Sequence, residues 1–286
     1  MISTLSKRIV AGVLAAAALM GAGAAAAEGG ALHPRHVNFS FDGPFGTFDQ
    51  GQLQRGYRVY EQVCSACHSM NLMAYRNLGQ PGGPFFSEEH PNPNDNPYVK
   101  AIAALIEVPD MDTETGEEIQ RPATPADHFR RPFPNATAAA FANGGAAPPD
   151  LSVIVKARHG GANYVYSILT GFRDAPEGLR INPGQHYNPY MNGDMTPFWD
   201  GDPEHVPPGG FIAMAPPLVE GAVTYDDGVQ PTVDQMAQDV SAFLAWASDP
   251  HQVERKRTGL VVLIYLLFFG VVTWFSYRRI WRDTAH

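Results

Sequence analysis

Cys64-Ser65-Ala66-Cys67-His68 reads C-x-x-C-H, the attachment signature of a c-type haem. Two thiols at this spacing can each reach one vinyl group of the same porphyrin. The next residue then offers an imidazole nitrogen to the iron as an axial ligand. These are the only 2 cysteines in 286 residues, so no thiol remains for a disulfide framework. Two other chemistries use a C-x-x-C pair. A structural zinc site needs four Cys or His ligands, usually from a second pair, and none follows at finger spacing. A thioredoxin-like dithiol wants a βαβ setting, and no such alternation surrounds these residues.

The ends of the chain give the compartment. Lys7 and Arg8 precede an apolar run from Ile9 to Met20 and a small-residue stretch ending Ala25-Ala26-Ala27. That is a secretory signal with cleavage expected after Ala27. A signal followed by C-x-x-C-H points to the bacterial periplasm. Near the other end, Gly259 to Tyr277 carries no charge and is bounded by Arg255-Lys256-Arg257 and Arg278-Arg279. It is long enough to cross the hydrocarbon core, and Trp274, Tyr277 and Trp281 suit an interfacial aromatic belt. The expected division is a signal peptide over 1–27, an exported domain over 28–250 and a linker over 251–258. A transmembrane helix over 259–277 and a cytoplasmic tail over 278–286 complete it. The expected location is the bacterial inner membrane, single-pass, with the domain in the periplasm.

Between Glu28 and Pro250 stand 12 Lys+Arg and 27 Asp+Glu, a balance near −15. Nucleic-acid binding needs a basic footprint and is excluded. An acidic surface favours basic partners and speeds their encounter in a salt-dependent way. Glu107, Asp110, Asp112, Glu114, Glu117 and Glu118 form the densest cluster, read as a solvated loop or a docking patch.

The periodic segments of the exported part are helical, with long Pro- and Gly-rich stretches over 81–97, 109–135 and 181–217 and no convincing run of strands. Leu53, Tyr57, Tyr60 and Val63 mark an apolar stripe on a helix from Gln50 to Val63, capped by Asp49 and delivering the chain to Cys64. Shorter helices fit Tyr98 to Glu107 and Asn163 to Gly171. A longer one runs from Thr232 to Ser248, where Thr232 and Gln235 read as a capping box. The expected fold is mainly α: a class I cytochrome c-type haem domain with long loop insertions and one C-terminal transmembrane helix.

Methionine as the sixth ligand gives an electron-transfer site, whereas an open position permits ligand binding or catalysis. The methionines after the attachment site are Met70, Met73, Met111, Met191, Met195, Met214 and Met236. Met70 and Met73 are too near Cys67 to cross to the opposite haem face easily, and Met236 reads as helix core. Met214, stiffened by Pro216 and Pro217, is the leading candidate, with Met195 in reserve. A five-coordinate haem enzyme or sensor is the rival reading of another class.

The order of several stretches carries a resemblance. Val63-Cys64-Ser65-Ala66-Cys67-His68-Ser69-Met70, Tyr75-Arg76-Asn77-Leu78, Ala147-Pro148-Pro149-Asp150-Leu151-Ser152 and Ala157-Arg158-His159-Gly160-Gly161 come first. Tyr187-Asn188-Pro189-Tyr190, Ala213-Met214-Ala215-Pro216-Pro217 and the anchor follow. Together they resemble the cytochrome c1 family, the haem subunit of quinol–cytochrome c oxidoreductase. The resemblance implies one covalent haem c on Cys64 and Cys67, with His68 as proximal and Met214 as distal ligand. It implies that Arg158 lies near a haem propionate and that Pro149 and Tyr164 adjoin the pocket. The implied partners are a cytochrome b subunit, a Rieske iron–sulfur protein as donor, a soluble or tethered basic cytochrome c as acceptor, and membrane lipid. The chain alone would perform no bond chemistry. Unlike many bacterial members it has no cysteine pair before Met214, so packing, proline and glycine must hold that loop.

Overall fold

The computed structural model describes residues 30–283. The expected signal peptide lies outside the described residues. Helix α1 (Gln50–Val59) begins where Asp49 Oδ1 accepts from Gln52 N at 2.6 Å, the N-cap read from the sequence. Helix α2 (Pro97–Ala104) is capped by Asn96, and α3 (Ala136–Ala142) by Asn135. Helix α4 (Gly161–Thr170) follows. Helix α5 (Val233–Ser248) starts at Thr232, whose Oγ1 accepts from Gln235 N at 3.1 Å. The capping box is only half made, because Gln235 Nε2 donates to Asp239 Oδ1 at 2.9 Å.

The core forms where α5 crosses α1. Tyr57, Tyr60, Phe129 and Phe243 pack edge-on or stacked with ring centroids 5.7 to 6.2 Å apart. Gly56 sits at the crossing. A Cβ there would lie 2.1 Å from the Asp239 carbonyl oxygen and 2.7 Å from Phe243 Cβ. Beside it the fully buried Asp239 accepts from Arg55 Nε at 3.0 Å and Nη2 at 3.3 Å. Arg55 Nη1 also donates to Asp227 at 2.6 Å. Removing one partner of such a buried pair costs roughly 3–5 kcal/mol. The pair therefore fixes the register of two helices 184 positions apart in the chain.

The fold is mainly helical as expected, and two short antiparallel ribbons stand where the sequence showed only irregular loops. Strands β1 (Glu107–Met111) and β2 (Glu118–Pro122) pair with Asp110 opposite Ile119. The acidic cluster is thus an exposed hairpin, not an irregular loop. Strands β3 (His186–Asn188) and β4 (Gly210–Ile212) pair with Tyr187 opposite Phe211.

Helix α6 (Gln252–Ile280) is the only one among the described residues long and apolar enough to span a bilayer. It begins within the stretch expected as a linker, because 252–258 contain no Pro and only good or neutral helix formers. Its first turns are tied to the rest of the domain. Asp249 accepts from Arg255 and lies 3.2 Å from Lys156 Nζ, while Lys256 Nζ donates to the Phe41 carbonyl at 2.6 Å. Burial pushes the Asp249 carboxyl up, but Arg255 and Lys156 override it and hold the group below the usual range. Asp249→Asn is expected to speed trypsin cleavage at Arg255–Arg257 about fivefold, the equivalent of roughly 1 kcal/mol of local opening. An unchanged cleavage rate would show that the tie contributes nothing.

Candidate functional site

Helix α1 does not run regularly to the attachment segment. From Tyr60 to Cys64 it widens into one π turn, closed by Ser65 N donating to the Tyr60 carbonyl at 2.8 Å. The added residue turns the following side chains by about 100° relative to a regular helix. The chain then tightens, with Cys67 N and His68 N donating to the Cys64 carbonyl at 3.1 and 2.8 Å. Cys64 is half-buried against the main core and Cys67 is exposed; both thiols are free. Burial, with help from Cys67, pushes the Cys64 thiol up to about 12. Such a wall suits an uncharged thioether better than a thiolate.

His68 is held by the segment 149–152. Its Nδ1 lies 2.9 Å from the Pro149 carbonyl oxygen, which can only accept, so Nδ1 carries the proton and Nε2 keeps its lone pair. Burial lowers the His68 pKa against the opposing pull of that carbonyl and of Asp150. A neutral imidazole with a fixed tautomer is what metal ligation requires. The two segments are laced together on either side of this contact. Leu151 N donates to the Ser69 carbonyl at 2.8 Å, and Leu72 N to Ser152 Oγ at 3.0 Å. Asp150 accepts from Ser69 Oγ, Asn71 N and Ser152 N. Two clefts flank the attachment loop. One of about 310 Å³ is lined by Tyr60, Glu61, Ser65, Tyr75, Phe129 and Arg130. The other, of about 250 Å³, is lined by Cys67, Asn71, Arg131, Phe133, Pro148 and Asp150.

Met214 stands two residues beyond β4 and is half-buried. Its loop is held without a disulfide. Met195, Leu179 and Tyr187 form a small buried cluster with Trp199, Val206 and Phe211 packed on it. Tyr187 Oη donates to the Pro208 carbonyl at 2.6 Å, and Asn188 Nδ2 reaches the Ile168 carbonyl on α4 at 2.8 Å. Gly209, at φ +108°, passes so close to β3 that a Cβ would sit 2.5 Å from the Asn188 carbonyl oxygen.

The other expected residues fall in two groups. Pro149 joins His68 as described. Arg158 is exposed, with Nη1 donating to the Ala157 carbonyl at 3.0 Å, and its charge lies beside the Tyr164 hydroxyl. That hydroxyl donates to Met191 Sδ at 3.7 Å. Burial raises the Tyr164 pKa while Arg158 opposes the rise. The sequence assigns no role to Asp150, Ser69 or Ser152. The Asp-Leu-Ser spacing of 150–152, which lets an Asp side chain bond the backbone two residues on, was the signal available for the first of them.

The donor set fits a covalent haem c. Among the described residues no three His, Cys, Asp or Glu side chains converge as a metal cage would need. Two free thiols and one oriented imidazole in successive turns instead suit two vinyl positions and one iron of a single ring. The comparison with known families agrees. Residues 39–284 match the Cytochrome C1 family. The chain belongs to the cytochrome c1 family.

The chain is 41% identical to the cytochrome c1 of Rhodospirillum rubrum over 300 residues, covering 99% of this chain and all of that one. It is 43% identical over 242 residues to the cytochrome c1 heme protein of Saccharomyces cerevisiae mitochondria, covering 84% and 69%. It is 39% identical over 279 residues to the cytochrome b/c1 of Bradyrhizobium diazoefficiens, spanning 91% of this chain but only 37% of that protein. Membership in the cytochrome c1 family, whose relatives are named heme proteins, supports a covalent haem c and accounts for the mainly helical fold with its apolar C-terminal helix.

Proposed function

We propose that this chain is the haem-bearing electron-transfer subunit of a membrane quinol–cytochrome c oxidoreductase. It takes one electron from a Rieske iron–sulfur protein and passes it to a basic periplasmic cytochrome c. The observation that carries the reading is the contact between His68 and Pro149: with Nδ1 committed to the carbonyl, Nε2 is the nitrogen left for iron. Cys64 and Cys67 hold the ring, and the bound haem supplies the one-electron couple.

Met214 is the distal ligand. Support comes from where the other methionines lie. Met70, Met73, Met195 and Met236 are buried in apolar clusters, Met111 is on the β1 hairpin, and Met191 accepts from Tyr164. Arg158 lies beside the Tyr164 hydroxyl, where a cation and a hydroxyl suit a carboxylate-bearing edge of the ring. The assembly includes a cytochrome b subunit, α6 crosses the bilayer beside its lipids, and the domain faces the periplasm. Gentle solubilisation tests this: the chain co-purifies with a b-type cytochrome and an iron–sulfur protein, whereas a haem-bearing chain recovered alone would mark an independent tethered shuttle.

The acidic hairpin steers the acceptor. Asp110 is engaged by Arg121, and Asp112 receives the turn's backbone N–H groups. Glu107, Glu114, Glu117 and Glu118 remain exposed. Changing these four to Gln is expected to slow the reaction with a basic cytochrome c about tenfold at low ionic strength and hardly at all at high. Unaltered rates and salt dependence would reduce the hairpin to a solvated loop.

A further inference from the structure

We infer that Asp150 is a positioning residue for the axial imidazole, holding the Pro149 carbonyl against His68 Nδ1 and lowering the reduction potential of the iron. The inference rests on His68 being the proximal ligand. Asp150 follows Pro149 directly, and Ser69 follows His68 directly. The carboxylate joins the two: Oδ2 accepts from Ser69 Oγ at 2.8 Å and from Asn71 N at 2.8 Å, while Oδ1 accepts from Ser152 N at 2.9 Å. Hydrogen bonds to an ionised acceptor are roughly twice as strong as neutral ones. Any drift of Pro149 away from His68 must therefore stretch several of them. Burial opposes ionisation of this carboxyl, but its donors from Ser152, Asn71 and Ser69 win, so it is charged at neutral pH.

Two consequences act on the iron with the same sign. A firmly accepted Nδ1–H makes the imidazole a more basic ligand, which favours the ferric state. A negative charge on the residue next to Pro149, bonded to the residue next to His68, also favours the ferric state. A purely structural role predicts the reverse. A loosened pocket admits water, which favours the more highly charged ferric form and would lower the potential further.

The test is Asp150→Asn in the intact membrane complex, grown on ¹⁵N-histidine. Redox titration and electron–nuclear double resonance of the ferric haem are read together. The expected result is a retained histidine-nitrogen coupling, showing that His68 stays on the iron, and a reduction equilibrium shifted about tenfold toward the ferrous state, 59 mV for one electron. A retained coupling with an unchanged or lowered potential overturns the role of Asp150. A wild type lacking the histidine-nitrogen coupling overturns the ligand assignment, and this inference with it. If the variant assembles no haem, Ser69→Ala decides, since it removes one donor and keeps the charge. A smaller upward shift supports the inference, and none or a downward one overturns it.

Discussion

Met214→Leu is expected to lower the reduction potential of the haem and to open the iron to carbon monoxide. The thioether is a weak, neutral ligand that stabilises the ferrous state, and leucine offers no lone pair. Axial ligation spans about 0.8 V in haem proteins, so a fall on the order of 0.2 V is the scale to look for. The loop that presents Met214 is held by the Met195 cluster, the β3–β4 ladder and Asn188, none of which includes Met214 itself. The fold should therefore survive, and the effect should be confined to ligation. Redox titration of the α band, with carbon monoxide difference spectra of the reduced complex, reads both halves. An unaltered potential and a haem still closed to carbon monoxide would remove Met214 from the iron; the reserve candidate Met195 is buried in its own cluster, so attention would turn to Met191, held by Tyr164.

The second large effect is on stability. Gly56→Ala places a methyl group 2.1 Å from a backbone oxygen of α5, and no rotamer can relieve a clash with main chain. Helices α1 and α5 must separate, which strains the Arg55–Asp239 pair and the Tyr57–Phe243 packing together. Overpacking ordinarily costs about 1–3 kcal/mol, and a clash with main chain belongs at or above the top of that range. The haem-stained polypeptide should fall several-fold in membranes, and the thermal midpoint of what remains should drop. Normal abundance with an unchanged midpoint would mean that α1 and α5 do not meet closely at Gly56.

The parts legible in the sequence are those whose signal is local or periodic. C-x-x-C-H, the Asp49 cap, the stripe of Leu53, Tyr57 and Tyr60, and the uncharged run after Gly259 each fit within a short window. Other features have no such window. Only Val108 of β1 is buried, so the hairpin shows no alternation, and its charges and Pro109 read as loop. Strands β3 and β4 are three residues each, below the length at which a period of two can be seen. The π turn at Tyr60 leaves the apolar stripe intact and shows only in the backbone bonds. Arg55 and Asp239 look like ordinary surface charges until α1 and α5 are crossed. Asp150 is one acid among many until Ser69, Asn71 and Ser152 converge on it.

The junction at Asp249 has a geometric corollary. Asp249 engages Arg255 and Lys156 while Lys256 donates to the Phe41 carbonyl, so three contacts tie the first turns of α6 to the domain. A haem carried on this domain would then be tied to the start of α6 rather than hung from a free linker. In the proposed function, electron tunnelling that falls steeply with distance would then require donor and acceptor to travel to the haem, and turnover would follow how often they arrive.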